Sequence, residues 1–276
     1  VVSQEQRRRQ LAREKFLRQQ QRRTSARRKA RVRNSVIASV LGVVVIGSVA
    51  LYTTGVLKND DKKSNTAADV KPSASPTSKA PDPCAKPAAG SAKKLSWKKE
   101  PAMAIDTSAA YSMKLATTCG DIDIALKTAA APHTVNSFDF LAGKGFFDHT
   151  KCHRLTTTGI YVLQCGDPQG TGMGGPGYTL PDENLKDKSL KGNTYPAGTV
   201  AMANTGQKHT GGSQFFLVYK DSPLPPQYTP FGTISDAGMK VLKKIAAAGA
   251  EAADPSTGNT APNATVVINK ATVAKS

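Results

Sequence analysis

The sequence predicts a mainly-β domain, a closed antiparallel barrel capped by helices, set behind a membrane-spanning helix and a disordered linker. Three observations lead there. Short runs of β-branched and aromatic residues, several of them alternating with polar ones, recur between turn residues from 112 to 274. An uncharged apolar run fills 36–57. Between the two, residues 58–104 are rich in Lys, Ala, Ser and Pro, with almost nothing to bury.

Residues 1–35 form a basic tail. The 276-residue chain carries a formal net charge of +18, of which residues 1–34 supply +11 and residues 105–276 only +2. The basicity therefore belongs to the tail and not to the globular part. The run "VIASVLGVVVIGSVALYTTGVL" at 36–57 matches the roughly 20 apolar residues that a helix needs to cross a hydrocarbon core. It is longer than the apolar region of a signal peptide and lacks a clean small-residue cleavage site, so it reads as an uncleaved anchor. The Lys/Arg excess then places the tail in the cytoplasm and the rest of the chain outside. On this reading the partners of the N-terminal part are the membrane, through one helix, and anionic lipid, through the tail. Nucleic acid is disfavoured as a partner of the same tail. Residues 58–104 cannot offset the entropy of ordering and read as a disordered tether. Four cysteines, Cys84, Cys119, Cys152 and Cys165, are free to pair in an oxidising compartment. The spacing does not choose among the pairings, and buried free thiols are an equal alternative.

The globular domain spans 105–276. "SMKLATTCGDIDIALK" alternates on both sides of a Cys-Gly-Asp turn and predicts a hairpin. Pro132 opens a helix whose inner face is Val135, Phe138 and Leu141, and which ends at Gly143 and Gly145. "CHRLTT" with "YVLQCGD" predicts a second hairpin. "GTVAMANTG", "SQFFLVYK" and "PFGTI" are further strands. A second helix follows with Ser235 as cap and Met239, Leu242 and Ile245 turned inward. "ATVVINKATV" closes the domain as a strand. Many short strands with two helices between them suggest a barrel with helical caps.

Several local patterns carry no chemistry. Gly170, Gly172 and Gly175 fit a dinucleotide fingerprint in spacing, but Pro176 follows where a helix should open. Asp148, His149, Cys152 and His153 are too close along a strand to converge on a metal, because neighbours point to opposite faces. Ser213 lacks the surrounding elbow of a hydrolase nucleophile. No metal and no cofactor is expected. What remains is Arg154, Gln164, Asn204 and Gln214 among Tyr161, Val162, Met202, Phe215, Phe216 and Leu224: one permanent cation, neutral hydrogen-bonding groups and a large apolar set.

"FFDHTKCHRLTTTGIYVLQCGDPQGTG", "TVAMANTG", "GGSQFFLVY" and "YTPFGTI", in that order, resemble the cyclophilin-type peptidyl-prolyl cis-trans isomerases. The resemblance covers about 106–276, and the "VLQCGDP" wording is similar to bacterial, particularly actinobacterial, members. It implies a closed eight-stranded antiparallel barrel capped by two helices, and rotation of X–Pro bonds without covalent catalysis. It implies catalytic roles for Arg154, Gln164 and Asn204, and a peptide-binding groove of Tyr161, Val162, Ala203, Gln214, Phe216, Leu224 and Tyr228. The expected partners are proline-containing polypeptides that fold outside the membrane. Three positions depart from the family pattern. Tyr161 stands where many members have phenylalanine, and Tyr228 where eukaryotic members have histidine. Pro223 replaces the tryptophan that favours cyclosporin. The second reading is a non-catalytic adaptor that binds proline peptides on the same fold.

Overall fold

The computed structural model describes residues 81–254 and 258–276. In chain order it contains β1 (Tyr111–Thr117), β2 (Gly120–Leu126), α1 (Pro132–Gly143), β3 (Thr150–Lys151), β4 (Arg154–Leu155) and β5 (Val162–Cys165). There follow β6 (Thr194–Tyr195), β7 (Thr199–Met202), β8 (Phe215–Val218), β9 (Ser222–Pro223), β10 (Pro230–Ile234), α2 (Asp236–Ala247) and β11 (Val267–Lys275).

The first hairpin forms as the alternation requires. Met113, Leu115, Ile122 and Ile124 are buried on one face, and Thr117 sits opposite Gly120. Gly120 takes φ +127°, a backbone setting that side chains with a Cβ rarely adopt. In α1, Pro132 occupies the first turn, where a missing N–H costs nothing, and Val135, Phe138 and Leu141 are fully buried. In α2, the Ser235 hydroxyl accepts from Gly238 N at 3.1 Å, and Leu242 and Ile245 are buried. Both helices close over one apolar core shared with strands of the sheet.

The strands correct the expected closed eight-stranded barrel. The main sheet has nine strands in the order β3-β11-β1-β2-β10-β7-β8-β5-β4, and it is open: its end strands do not pair. The physical reason is that β3 and β4 are successive pieces of one short segment, joined by Cys152 and His153. β3 pairs with β11 and β4 with β5, so the segment leaves one edge of the sheet and enters the other without pairing with itself. Along this segment Cys152 N donates to Val266 O and Leu155 N to Thr260 O. β6 and β9 form a separate two-stranded ladder.

The membrane-anchored reading is also corrected. Among the described residues no helix is long and apolar enough to cross a membrane. α1 and α2 have 12 residues each. Each spans about 18 Å, well short of a core of about 30 Å. The expected anchor at 36–57, with the basic tail before it, lies outside the described residues. With no spanning helix among the described residues, the structure does not support the expected membrane partner or membrane location.

Residues 81–104, from the stretch expected to be a tether, contain no helix or strand but lie along the domain. Cys84 is disulfide-bonded to Cys119 on the β1–β2 turn. Ala85 N donates to Thr118 O, and Trp97 N to Pro176 O, each at 2.8 Å. The Trp97 ring meets Phe140 edge-on at 5.0 Å and lies 6.1 Å from Phe146. The second disulfide, Cys152–Cys165, fastens the segment before β4 to the end of β5.

Candidate active site

The site follows from the two-residue period of three strands. In β5, β7 and β8 successive side chains point to opposite faces. Leu163, Cys165, Val200, Met202, Phe215 and Leu217 join the main core. The alternate positions Val162, Ala201, Phe216 and Val218 form a second apolar cluster with the buried Tyr195. Ala203, Leu224 and Tyr228, each half-buried, pack against its edge. Phe216 and Tyr228 meet edge-on at 5.5 Å.

Cross-strand register then sets a row. Arg154 of β4 lies opposite Gln164 of β5, Gln164 opposite Phe216 of β8, and Phe216 opposite Ala201 of β7. The row carries a cation, an amide, an aromatic ring and a methyl group in order, all on the face of the second cluster.

Polar groups along the row are chained. Arg154 Nη1 donates to Gln164 Oε1 at 3.2 Å, and Gln164 Nε2 donates to Gln214 Oε1 at 2.8 Å. Gln214 Nε2 donates in turn to the Gly174 carbonyl at 2.8 Å. Arginine has five N–H donors and no acceptor, so it dictates the orientation of both amides. Among the described residues no carboxylate forms an ion pair with Arg154. Its charge is half-buried, aimed by one neutral amide and not neutralised.

Asn204 lies just beyond β7. Its Nδ2 donates to Gln227 O at 2.8 Å and its Oδ1 accepts from Gly206 N at 2.9 Å. Its side chain is thus used within the protein. Its main-chain N–H and C=O make no hydrogen bond among the described residues. Tyr161 is placed apart from Val162: its ring packs against Tyr219 at 5.9 Å, with Lys220 Nζ 4.5 Å from the ring centroid. Tyr161 precedes β5, and its N–H donates to Ser222 Oγ at 2.9 Å.

Groups behind the row shape it. Asp167 is fully buried. Burial alone would raise its pKa, but N–H donors of Gln169, Gly174 and Gly172 outweigh that and hold it below the ordinary carboxylate range. Through those bonds it sets the loop that presents the Gly174 carbonyl. His153 precedes Arg154 and is 6% exposed, and neither ring nitrogen has a hydrogen-bond partner among the described residues. Burial, and more weakly the Arg154 charge, lower its pKa against an opposing pull from Asp167.

Among the described residues no group of three or more His, Cys, Asp or Glu could hold a metal ion. Cys152 is consumed in its disulfide. Ser213 Oγ donates to the Gly166 carbonyl at 2.7 Å and is buried, a structural use of that hydroxyl. Sequence reasoning missed Tyr195 and Asp167, and also Ser222, whose Oγ accepts from Tyr161 N. Tyr195 and Ser222 lie in two-residue strands that give no periodic signal, whereas Asp167 stands beside a glycine-rich turn where a carboxylate collecting N–H groups is the natural expectation.

The sequence model of the family described as "Cyclophilin type peptidyl-prolyl cis-trans isomerase/CLD" matches residues 112–273. The "Probable peptidyl-prolyl cis-trans isomerase B" of Mycobacterium leprae is 51% identical over 149 residues, 51% of this chain and 50% of that protein. The "Peptidyl-prolyl cis-trans isomerase B" of Bacillus subtilis is 41% identical over 125 residues, 45% of this chain and 82% of that protein. A solved cyclophilin type peptidyl-prolyl cis-trans isomerase of Cryptosporidium parvum superposes with a TM-score of 0.48 at 26% identity, covering 60% of this chain and 99% of that one. The chain spans about half the length of the mycobacterial relatives it matches. The family match extends over more than half of the chain and takes in every strand of the row from Arg154 to Ala201; this chain belongs to the cyclophilin-type peptidyl-prolyl cis-trans isomerase family.

Proposed function

We propose that residues 105–276 form an active isomerase that rotates X–Pro bonds in folding polypeptides, with Arg154 as the catalytic group. The reaction makes and breaks no covalent bond. Its obstacle is amide resonance, a barrier of roughly 18–20 kcal/mol. Twisting the bond returns a lone pair to the prolyl nitrogen. A donor aimed at that nitrogen stabilises the twisted form more than either planar form, which is differential binding of the transition state. Arg154 suits this: it is always charged, its fork is rigid, and Gln164 holds only part of it.

In this reading the cluster of Val162, Phe216, Ala203, Leu224 and Tyr228 seats the proline ring. Gln164 and Gln214 aim the guanidinium. The free main-chain groups of Asn204 pair with the peptide as an added strand would, so that one side stays fixed while the other turns. Tyr161, with Lys220 over its ring, borders the groove. The two disulfides favour clients that fold in an oxidising compartment.

The observation that carries the proposal is a half-buried arginine with no anionic partner among the described residues, in register with an apolar floor. Exchange spectroscopy on a short Ala-Pro peptide tests it. The protein should speed cis-trans interconversion at catalytic concentrations. Binding of the peptide with no acceleration would instead identify a proline-binding adaptor.

A further inference from the structure

The outer wall of the proposed proline site is a loop poor in backbone donors. Leu224, Pro225, Pro226, Gln227, Tyr228 and Thr229 connect β9 to β10, and the two prolines have no N–H. Leu224 N donates to Asn193 O at 2.9 Å. The Gln227 carbonyl is held by Asn204 Nδ2. At Tyr228 one side-chain hydroxyl serves both main-chain groups. Tyr195 Oη donates to the Tyr228 carbonyl at 2.7 Å and accepts from the Tyr228 N–H at 3.1 Å.

Tyr195 is fully buried, and its ring lies 6.1 Å from Phe216 and 6.2 Å from Tyr228, edge-on to both. Burial pushes its hydroxyl pKa up to about 12, so it stays a donor throughout the physiological range. Its own strand is anchored by the ladder in which Tyr195 pairs with Ser222 and Thr194 with Pro223. The segment 193–195 therefore grips the wall loop at both ends: Asn193 holds Leu224, and Tyr195 holds Tyr228.

We infer that Tyr195 is a positioning residue for the proline site, whose hydroxyl fixes the Tyr228 backbone and thereby the separation of Tyr228 and Leu224 from Phe216. This rests on the isomerase reading of the same groove. Tyr228 and Leu224 touch the ring, not the rotating amide, so their displacement weakens planar and twisted substrate alike. That is a loss of uniform binding, which raises KM and leaves kcat in place.

The test is Tyr195→Phe, which removes one oxygen and keeps the ring packing. Exchange kinetics on the Ala-Pro peptide should show KM raised about fivefold to tenfold, the size expected for losing a buried hydrogen-bonded hydroxyl, with kcat within about twofold. Direct titration of the peptide should show the same rise in Kd, and the Leu224 methyl and Tyr228 amide NMR signals should shift or broaden. A variant with a lowered melting temperature but unchanged KM, Kd and Leu224 signals overturns the inference, because Tyr195 would then be an ordinary core residue. Equal falls in kcat and kcat/KM at constant Kd also overturn it. If the unaltered protein binds the peptide without accelerating exchange, the isomerase reading fails, while Kd and the NMR signals still decide the role of Tyr195.

Discussion

Arg154 can only donate, and that fixes the direction of every hydrogen bond behind it, from Gln164 to Gln214 to the Gly174 carbonyl. A carboxylate at position 164 would break this logic. Gln164→Glu pairs the guanidinium with an anion and removes the donor that Gln214 accepts from. Turnover should fall about tenfold or more, with the loss in kcat, since occupying the guanidinium by about 1.4 kcal/mol is tenfold in rate; unchanged kcat would show that the fork does not act on the substrate. His153 gives a second prediction at this scale. Its folded pKa is lowered from 6.5, mainly by burial. The folded state thus prefers neutral imidazole, and the stability this contributes is present above about 6.5 and is lost as pH falls below it toward the folded value. The melting temperature should drop as the solution is acidified from neutrality, and more gently in His153→Phe, which also removes two unpartnered nitrogens. Identical pH profiles for the two proteins would show that His153 does not contribute.

At the scale of elements, the site is a matter of which face each strand turns outward. The sequence marks the hairpin of β1 and β2 and both helices through their periodicities, because each has one wet side. β7 and β8 are buried at every position. An unbroken run such as "FFLV" has no polar alternation to tell core from groove, so periodicity does not separate Phe215 from Phe216; the family resemblance points to Phe216, and the fold sets the two on opposite faces. Arg154 and Gln164 were legible as polar intruders in apolar surroundings, and their pairing follows from the hairpin. The open order of the sheet was not legible, since it depends on long-range pairing by two-residue strands. Nor was the packing of 81–104, whose composition has no period. The signal there was the chain's sole tryptophan, with Leu95 two residues before it; both pack against the core. Trp97→Ala should cost about 2 kcal/mol, below the usual range for a fully buried tryptophan because Trp97 is only partly buried. Urea unfolding reads this directly, and a midpoint unchanged from the parent would show that the segment rests on the domain without stabilising it.

For the whole molecule, two disulfides tie short or non-periodic segments to the sheet. Cys84–Cys119 closes a separation of 35 residues and Cys152–Cys165 one of 13. A chain-entropy argument gives about 4 kcal/mol for the longer loop and about 3 kcal/mol for the shorter. Replacing Cys84 and Cys119 together by Ser should therefore lower stability more than replacing Cys152 and Cys165 does. Only the second pair lies beside Arg154 and Gln164, so its loss alone should also lower turnover. The reverse pattern, activity falling with the Cys84–Cys119 pair, would mean that residues 81–104 shape the groove and do not merely brace the domain.

The central claim is that one guanidinium favours the twisted bond over the planar one. The most direct test compares turnover and affinity for one Ala-Pro peptide in Arg154→Ala, by exchange spectroscopy and titration on the same samples. The account predicts that kcat falls at least about a hundredfold, or about 2.7 kcal/mol of transition-state stabilisation, while Kd changes by less than about threefold. Losses of equal size in kcat/KM and affinity with kcat intact would make Arg154 a binding residue and contradict the account.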